Sequence, residues 1–409
     1  MSDERIVIVG ASLAGAKAAE ALREEGHAGP VTLVGAETEA PYERPPLSKD
    51  YLRGESERDK ARVHPDGFYR EHDIDLRLGT EVTALDPGAR TVTLDGGEKQ
   101  GWDRLLLTLG SEPRRLGLPG ADLDGILYLR TMADSDALRA RFEAGGRLVI
   151  VGAGWIGCEA AASARQRGME VTLLERLDQP LQGVMGPEIG RVFGDLHREN
   201  GVEVLTGTGV EAFEGDGRVE RVHLAGGRTI DCDAALVGVG VAPRTGPAEA
   251  AGLDVDDGIL VDARLRASAP GVFAAGDCAN AEHPFYGRRV RVEHWANALN
   301  QGAHAGRVMA GRDEPYERIP YFFSDQFDLG MEYSGLADPS APVVFRGDRQ
   351  GREFVAFWLD GEGRVAAGMN VNVWDVNDQV QELIRSRAVV DRTALADPDV
   401  PLERLARDG

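Results

Sequence analysis

Two glycine-rich turns carry the chemistry of this sequence, Gly10-Ala11-Ser12-Leu13-Ala14-Gly15 and Gly152-Ala153-Gly154-Trp155-Ile156-Gly157. Each follows an apolar run, Ile6-Val7-Ile8-Val9 or Leu148-Val149-Ile150-Val151, and opens an alanine-rich stretch. Glycines in a strand-to-helix turn let the backbone approach a pyrophosphate, and the unpaired N–H groups of the helix start favour its negative charge. One such motif is a weak signal. Two in the strand–turn–helix setting predict two bound dinucleotides and electron transfer between them, against the bland reading of two tight turns.

A carboxylate about 20 residues further on is expected to accept hydrogen bonds from a ribose. Glu175, after the strand-like Val171-Thr172-Leu173-Leu174, meets that requirement. A carboxylate there repels a 2′-phosphate, which predicts NADH in preference to NADPH; the adjacent Arg176 keeps NADPH open. The first motif is a variant. Gly35 follows the run Val31-Thr32-Leu33-Val34, the nearest acid is Glu37, and Ser12 replaces the middle glycine with a small side chain able to donate to a phosphate.

These motifs need elements to hold them. At 409 residues the chain has room for two or three domains, and 42% hydrophobic content supplies their cores. The first nucleotide unit runs to Leu105-Leu106-Leu107-Thr108-Leu109-Gly110, before a Pro/Gly-rich joint at 112–120; the second runs to 234–240, before a joint at 242–244. Gly271-Val272-Phe273-Ala274-Ala275-Gly276-Asp277 reads as a buried strand whose terminal aspartate could accept hydrogen bonds from a polyol. After Tyr321 come shorter alternating strands, 353–359 among them, and a helix near 375–385, as in a smaller α+β domain.

Composition excludes other classes. A net charge of −22 argues against nucleic acid, and no apolar run approaches the roughly 18 residues of a membrane span. The opening Met1-Ser2-Asp3-Glu4-Arg5 is unlike a signal peptide, so a cytoplasmic location without membrane attachment is expected. Cys158, Cys232 and Cys278 are too far apart for a redox pair, zinc knuckle or iron–sulfur ligand set; Cys158 and Cys278 read as small buried residues, and no metal site is expected.

The segment Pro41-Tyr42-Glu43-Arg44-Pro45-Pro46-Leu47-Ser48-Lys49 resembles the signature of FAD-dependent, NADH-dependent ferredoxin reductases, the family of the putidaredoxin, rubredoxin and aromatic-ring dioxygenase reductases. The resemblance continues through 273–277, 292–298 and 322–328 and covers essentially the whole chain, with Tyr321 and Phe323 where the family usually carries tryptophans. It implies an α/β fold: two Rossmann-like dinucleotide-binding domains of the glutathione-reductase type plus a C-terminal α+β domain. The implied boundaries are 1–114 and 245–320 for a discontinuous FAD domain, 115–244 for the NAD domain and 321–409 for the C-terminal domain.

Site residues follow from the same resemblance. FAD would be held by Gly10, Ser12, Ala14, Gly15, Glu37, Arg44, Pro46, Lys49, Val82, Thr108, Gly110, Arg130, Gly276, Asp277 and Trp295. NAD would be held by Gly152, Gly154, Ile156, Gly157, Glu159, Glu175 and Gly240. Lys49, paired with Glu159, is implied to place a cation beside the flavin, with Trp295 close by; these three form the implied catalytic set. Spacing alone leaves the bland alternatives open: a solvated lysine with a first-turn glutamate, strand packing for Val82 and Thr108, surface charge for Arg44 and Arg130, and a core aromatic for Trp295. Hydride transfer itself needs position and electrostatics and no protein acid or base.

The implied partner is a two-iron, two-sulfur ferredoxin, or another iron–sulfur ferredoxin, feeding a haem monooxygenase or ring-hydroxylating dioxygenase. Such partners are generally acidic, so Arg288, Arg289 and Arg291 are the candidate docking patch, with a solvated loop tip as the alternative. Two other functions share the broad fold: an NADH oxidase or disulfide reductase, which needs a reactive cysteine where Pro46-Leu47-Ser48 stands, and a flavoprotein like apoptosis-inducing factor, which has a similar Pro-Pro-Leu-Ser-Lys segment.

Overall fold

The computed structural model describes residues 3–406; residues 1, 2 and 407–409, which the expected boundaries include, lie outside them. The chain folds as two units. The first takes the segment ending at Arg44 together with Arg58–Glu112 and Val241–Pro320. Strand Ile6–Val9 is buried at every position, as an apolar run must be when its sheet is covered on both faces. It is the centre of a five-stranded parallel sheet in the order Val272–Ala274, Arg104–Leu107, Ile6–Val9, Val31–Val34, Ile74–Arg77. The next strand in sequence lies on one side of it and a later one on the other, which opens a crevice at the carboxyl end of the sheet. Helix Leu13–Glu24 lies along helix Trp295–Met309 through the small residues Ala14, Ala18, Gly302 and Gly306.

The second unit takes Pro45–Glu57, Pro113–Gly240 and the chain from Tyr321. Its parallel sheet has the order Glu203–Leu205, Glu170–Leu174, Arg147–Val151, Ala234–Val237, Ile126–Leu127. A further five-stranded sheet of the unit is antiparallel, in the order Tyr321–Gln326, Leu329–Gly335, Val365–Val371, Glu353–Leu359, Val343–Asp348. The late helix is Asn377–Ser386; Asp375 has a left-handed backbone (φ 62°), so the helix starts after it.

Residues 45–57, expected with the first nucleotide-binding half, pack in the second unit. The Leu47 carbonyl accepts from Ser135 (2.9 Å) and the Ser48 carbonyl from Ser163 (2.7 Å). Leu52 is fully buried in one core with Leu138, Phe142, Phe354 and Trp358, a core the C-terminal sheet shares. Burying a leucine of this kind contributes roughly 1.5–3 kcal/mol, enough to fix the segment where its apolar anchors fit.

Candidate functional site

In the first unit the strand ends at Gly10, whose φ of 118° and lack of Cβ are both needed: a Cβ would lie 2.1 Å from the Thr108 carbonyl oxygen. A Cβ on Gly15 would lie 2.1 Å from the Gly10 carbonyl oxygen, so the helix can start this close to the strand only with glycine there. Thr108 donates its hydroxyl hydrogen to the Gly10 carbonyl (2.8 Å) and fixes the turn. Ser12 caps the helix with an extended backbone and makes no side-chain capping bond, while Ala14 is buried in the first turn. Gly35 explains the displaced acid, since a Cβ there would lie 2.5 Å from that of Ala11. The acid moves to Glu37, which accepts from the Tyr42 hydroxyl and from Arg44 (3.1 Å).

Asp277 is buried after Gly276 and accepts from the Ser111 hydroxyl (2.7 Å), while the Gly276 N–H donates to Gln301 (2.9 Å). Burial works against the Arg44 charge, but Tyr42, Glu37 and Asp277 outweigh it and hold the guanidinium above its usual range. Arg44 thus joins Glu37 to Asp277 electrostatically. Trp295 opens its helix and faces Glu43; burial pushes the Glu43 carboxyl up, opposed by the Trp295 indole and Lys17. His294, just before it, is pushed down to about 4 by burial, with Asp277 opposing. Val82 is buried in the core of the unit, and the Gly110 carbonyl accepts from the Arg244 N–H (2.9 Å).

In the second unit the turn is built the same way. A Cβ on Gly152 (φ 100°) would lie 2.4 Å from the Gly238 carbonyl oxygen, and one on Gly157 would lie 2.0 Å from that of Gly152. Gly154 differs: a Cβ there would meet no protein atom within 4 Å, so its smallness leaves open space at the helix start. Glu175 accepts from the N–H of Ala153 (3.1 Å) in the turn and of Leu177 (2.9 Å) beyond it. Ile156 is exposed, and the Gly240 carbonyl accepts from the Arg114 N–H (2.9 Å).

The residues Pro46, Lys49 and Arg130, implied for FAD, fall in the second unit. Arg130 precedes a capped helix, its N–H donating to Asp134 (3.0 Å), and Pro46 lies in the short turn Pro45–Ser48. Lys49 Nζ is 2.7 Å from Glu159 Oε2, and both side chains are nearly buried, which removes the solvated-pair alternative. Sequence reasoning missed the groups around this pair. Ser48 and Ser324 also donate to Glu159, and Gln326 and His197 stand behind Ser324. Ser48 and Ser324 lie inside the motifs that carry the resemblance, yet nothing local in the sequence connects positions 48, 159 and 324.

The basic patch is largely neutralised. Arg289 binds Glu282 (3.0 Å) and two carbonyls, and Arg291 binds Asp257 (3.1 Å) and Glu293; Arg288 is exposed. All three cysteines are buried, and burial pushes the thiols up, to about 12 for Cys232, about 11 for Cys278 and further for Cys158. Thiols held protonated in this way make poor nucleophiles. No helix among the described residues is long and apolar enough to cross a membrane.

Two glycine-closed strand-to-helix turns at the carboxyl ends of parallel sheets give the fold of a two-dinucleotide oxidoreductase. Residues 4–302 match the family described as pyridine nucleotide-disulphide oxidoreductase, and 321–406 match the reductase C-terminal family. The chain is 42% identical to the 5,5'-dehydrodivanillate O-demethylase ferredoxin reductase subunit of Sphingobium sp., over 98% of this chain and 97% of that one. It is 38% identical to the anthranilate 1,2-dioxygenase system ferredoxin–NAD(+) reductase component of Burkholderia cepacia, over 98% and 99%. Among solved structures, the covalent putidaredoxin reductase–putidaredoxin complex superposes with a TM-score of 0.95 at 35% identity, over 99% of this chain and 98% of that one. The chain belongs to the ferredoxin reductases of the pyridine nucleotide-disulphide oxidoreductase family, and is an NAD(P)H-dependent flavoprotein oxidoreductase.

The residues present fit FAD. Gly10 and Gly15 let strand and helix close into a tight turn, and the first unit supplies an anion-seeking helix start, the Arg44 cation and the buried Asp277 acceptor. When bound, FAD would supply acceptance of a hydride and release of electrons one at a time.

Proposed function

We propose that this protein passes electrons from NADH through FAD to a two-iron, two-sulfur ferredoxin that feeds a haem monooxygenase or ring-hydroxylating dioxygenase. The observation that carries the choice of acceptor is the state of the thiols: all three are buried and held protonated, so no disulfide chemistry competes. The relatives are reductases of oxygenase systems by name, which supports the same reading.

In this reading FAD is held by 1–114 with 245–320, NAD by 115–244, and 321–409 forms the C-terminal domain. Gly10, Ser12, Ala14, Gly15, Thr108, Gly110, Gly276 and Asp277 serve the FAD phosphates and polyol, and Glu37, Arg44, Pro46, Lys49, Val82, Arg130 and Trp295 complete the proposed FAD set. Gly152, Gly154, Ile156, Gly157, Glu159, Glu175 and Gly240 serve NAD. NADH is preferred because Glu175, anchored to the turn by the Ala153 N–H, sets a carboxylate where a 2′-phosphate would come. Docking centres on Arg288, since Arg289 and Arg291 already hold carboxylates.

Steady-state cytochrome c reduction with NADH tests this, with and without a two-iron, two-sulfur ferredoxin. Strong stimulation by ferredoxin is expected, and R288E should raise KM for ferredoxin severalfold at low salt while leaving NADH-to-ferricyanide turnover unchanged. Rapid oxygen consumption without ferredoxin stimulation would point to an oxidase instead.

A further inference from the structure

We propose that Ser324, on the first strand of the C-terminal sheet, is a positioning residue for Lys49 and acts through Glu159. This rests on the reading of Lys49 as the cation beside FAD. The Glu159 carboxylate is 4% exposed and takes three donors: Lys49 (2.7 Å) and Ser48 at Oε2, and Ser324 (2.7 Å) at Oε1. Remove the third and Oε1 loses that donor in a dry place, so the carboxylate is free to turn and the ammonium with it.

The serine hydrogen has a fixed direction. Ser324 Oγ accepts from Gln326 Nε2 (3.1 Å), and Gln326 Oε1 lies 2.9 Å from His197 Nε2. His197 is fully buried, and burial, opposed by Gln326, pushes it down to about 4, so it is neutral with its Nε2–H toward the glutamine. From His197 through Gln326 and Ser324 every hydrogen points toward Glu159. The same strand places the Phe323 ring 5.6 Å from Lys49 Nζ, a cation–π contact. Asp325 also feels the charges of Lys49 and Glu159, and of Arg53 beside it. A strand from the C-terminal sheet therefore sets the position of a cation assigned to the nucleotide chemistry.

The test is a double-mutant cycle read as the two-electron potential of FAD in the purified holoenzyme: wild type, S324A, K49M and K49M/S324A. In the wild-type background S324A should lower the equilibrium constant for FAD reduction about threefold, roughly 14 mV for a two-electron couple. With K49M the effect of S324A should vanish. An equal shift in both backgrounds, or none in either while K49M alone shifts the potential, would overturn the role of Ser324 and leave that of Lys49 standing. No shift from K49M would overturn the reading of Lys49 and this proposal with it. Should S324A not retain FAD, Gln326→Leu removes the donor to Ser324 and runs the same cycle.

Discussion

The two nucleotide turns are one solution executed twice, and they differ where a ligand has to be recognised. Both begin with a glycine of positive φ and close on a second glycine whose Cβ would strike the carbonyl of the first, at 2.1 Å in Gly15 and 2.0 Å in Gly157. Between them stand Ser12 in one turn and Gly154 in the other, and the acids differ more. Glu175 is tied to its own turn by two backbone N–H groups, whereas Glu37 is tied to Tyr42 and Arg44. Glycines set by the protein's own backbone recur in both turns, and the turns part company at the remaining positions.

The strongest way to break the likeness is at the closing glycine. Gly15→Ala forces a Cβ onto a backbone carbonyl and should give protein without flavin absorbance; Gly157→Ala should keep the flavin but fail to bind NADH. Gly154→Ala meets no protein atom, so the melting temperature should stay within about 1 °C of wild type while KM for NADH rises about tenfold, or 1.4 kcal/mol of lost binding. A fall in stability with unchanged KM would show that Gly154 is needed for packing.

Acid separates the units next. In the first, burial pushes five histidines down, His27, His64, His283, His294 and His304; in the second it pushes down His197. For His294 the fall from 6.5 to about 4 is on the order of 3 kcal/mol. The unfolded chain takes these protons near pH 6.5 and the folded one does not, so stability is lost as pH falls from about 6.5 towards 4. Hydrogen exchange should therefore show strand Ile6–Val9 losing protection between pH 7 and 5 more steeply than Arg147–Val151. Equal loss in the two strands would mean that these histidines do not decide acid stability.

How much of this could be read in the chain depended on whether the cause was local. Apolar runs buried on both faces announced themselves: 6–9 and 353–359 fold as strands with the bounds read from sequence, and 148–151 gains only Arg147. Gly35 was visible as an anomaly, but its reason, contact with Ala11, needed the fold. The allegiance of residues 45–57 was hidden because Leu52 is an ordinary apolar residue until its partners at 138, 142, 354 and 358 are known. The same applies to Ser48, Ser324, Gln326 and His197, whose hydrogen bonds lead to Glu159 from three stretches of chain. The arginine run at 288–291 shows the converse, since Glu282, Asp257 and Glu293 pair with charges that a sequence shows bare.

The finest contrast lies between the two acids. Glu175→Gln keeps the shape, removes the charge and weakens the acceptors at the turn; a hydrogen bond to a charged group contributes about 1.5–3 kcal/mol, part of which the amide oxygen retains. KM for NADH should rise about fivefold and the preference for NADH over NADPH should shrink by a similar factor. Glu37→Gln removes the charge opposite Arg44, whose partner set also includes Tyr42 and Asp277, and Glu37 is more than a third exposed. A pair this open contributes about 0–1 kcal/mol, so FAD affinity should fall less than threefold and nicotinamide preference should not move. An equal response of both variants to NADPH would mean that Glu175 is not where the 2′ position is read, and that its two backbone bonds serve only to brace the turn.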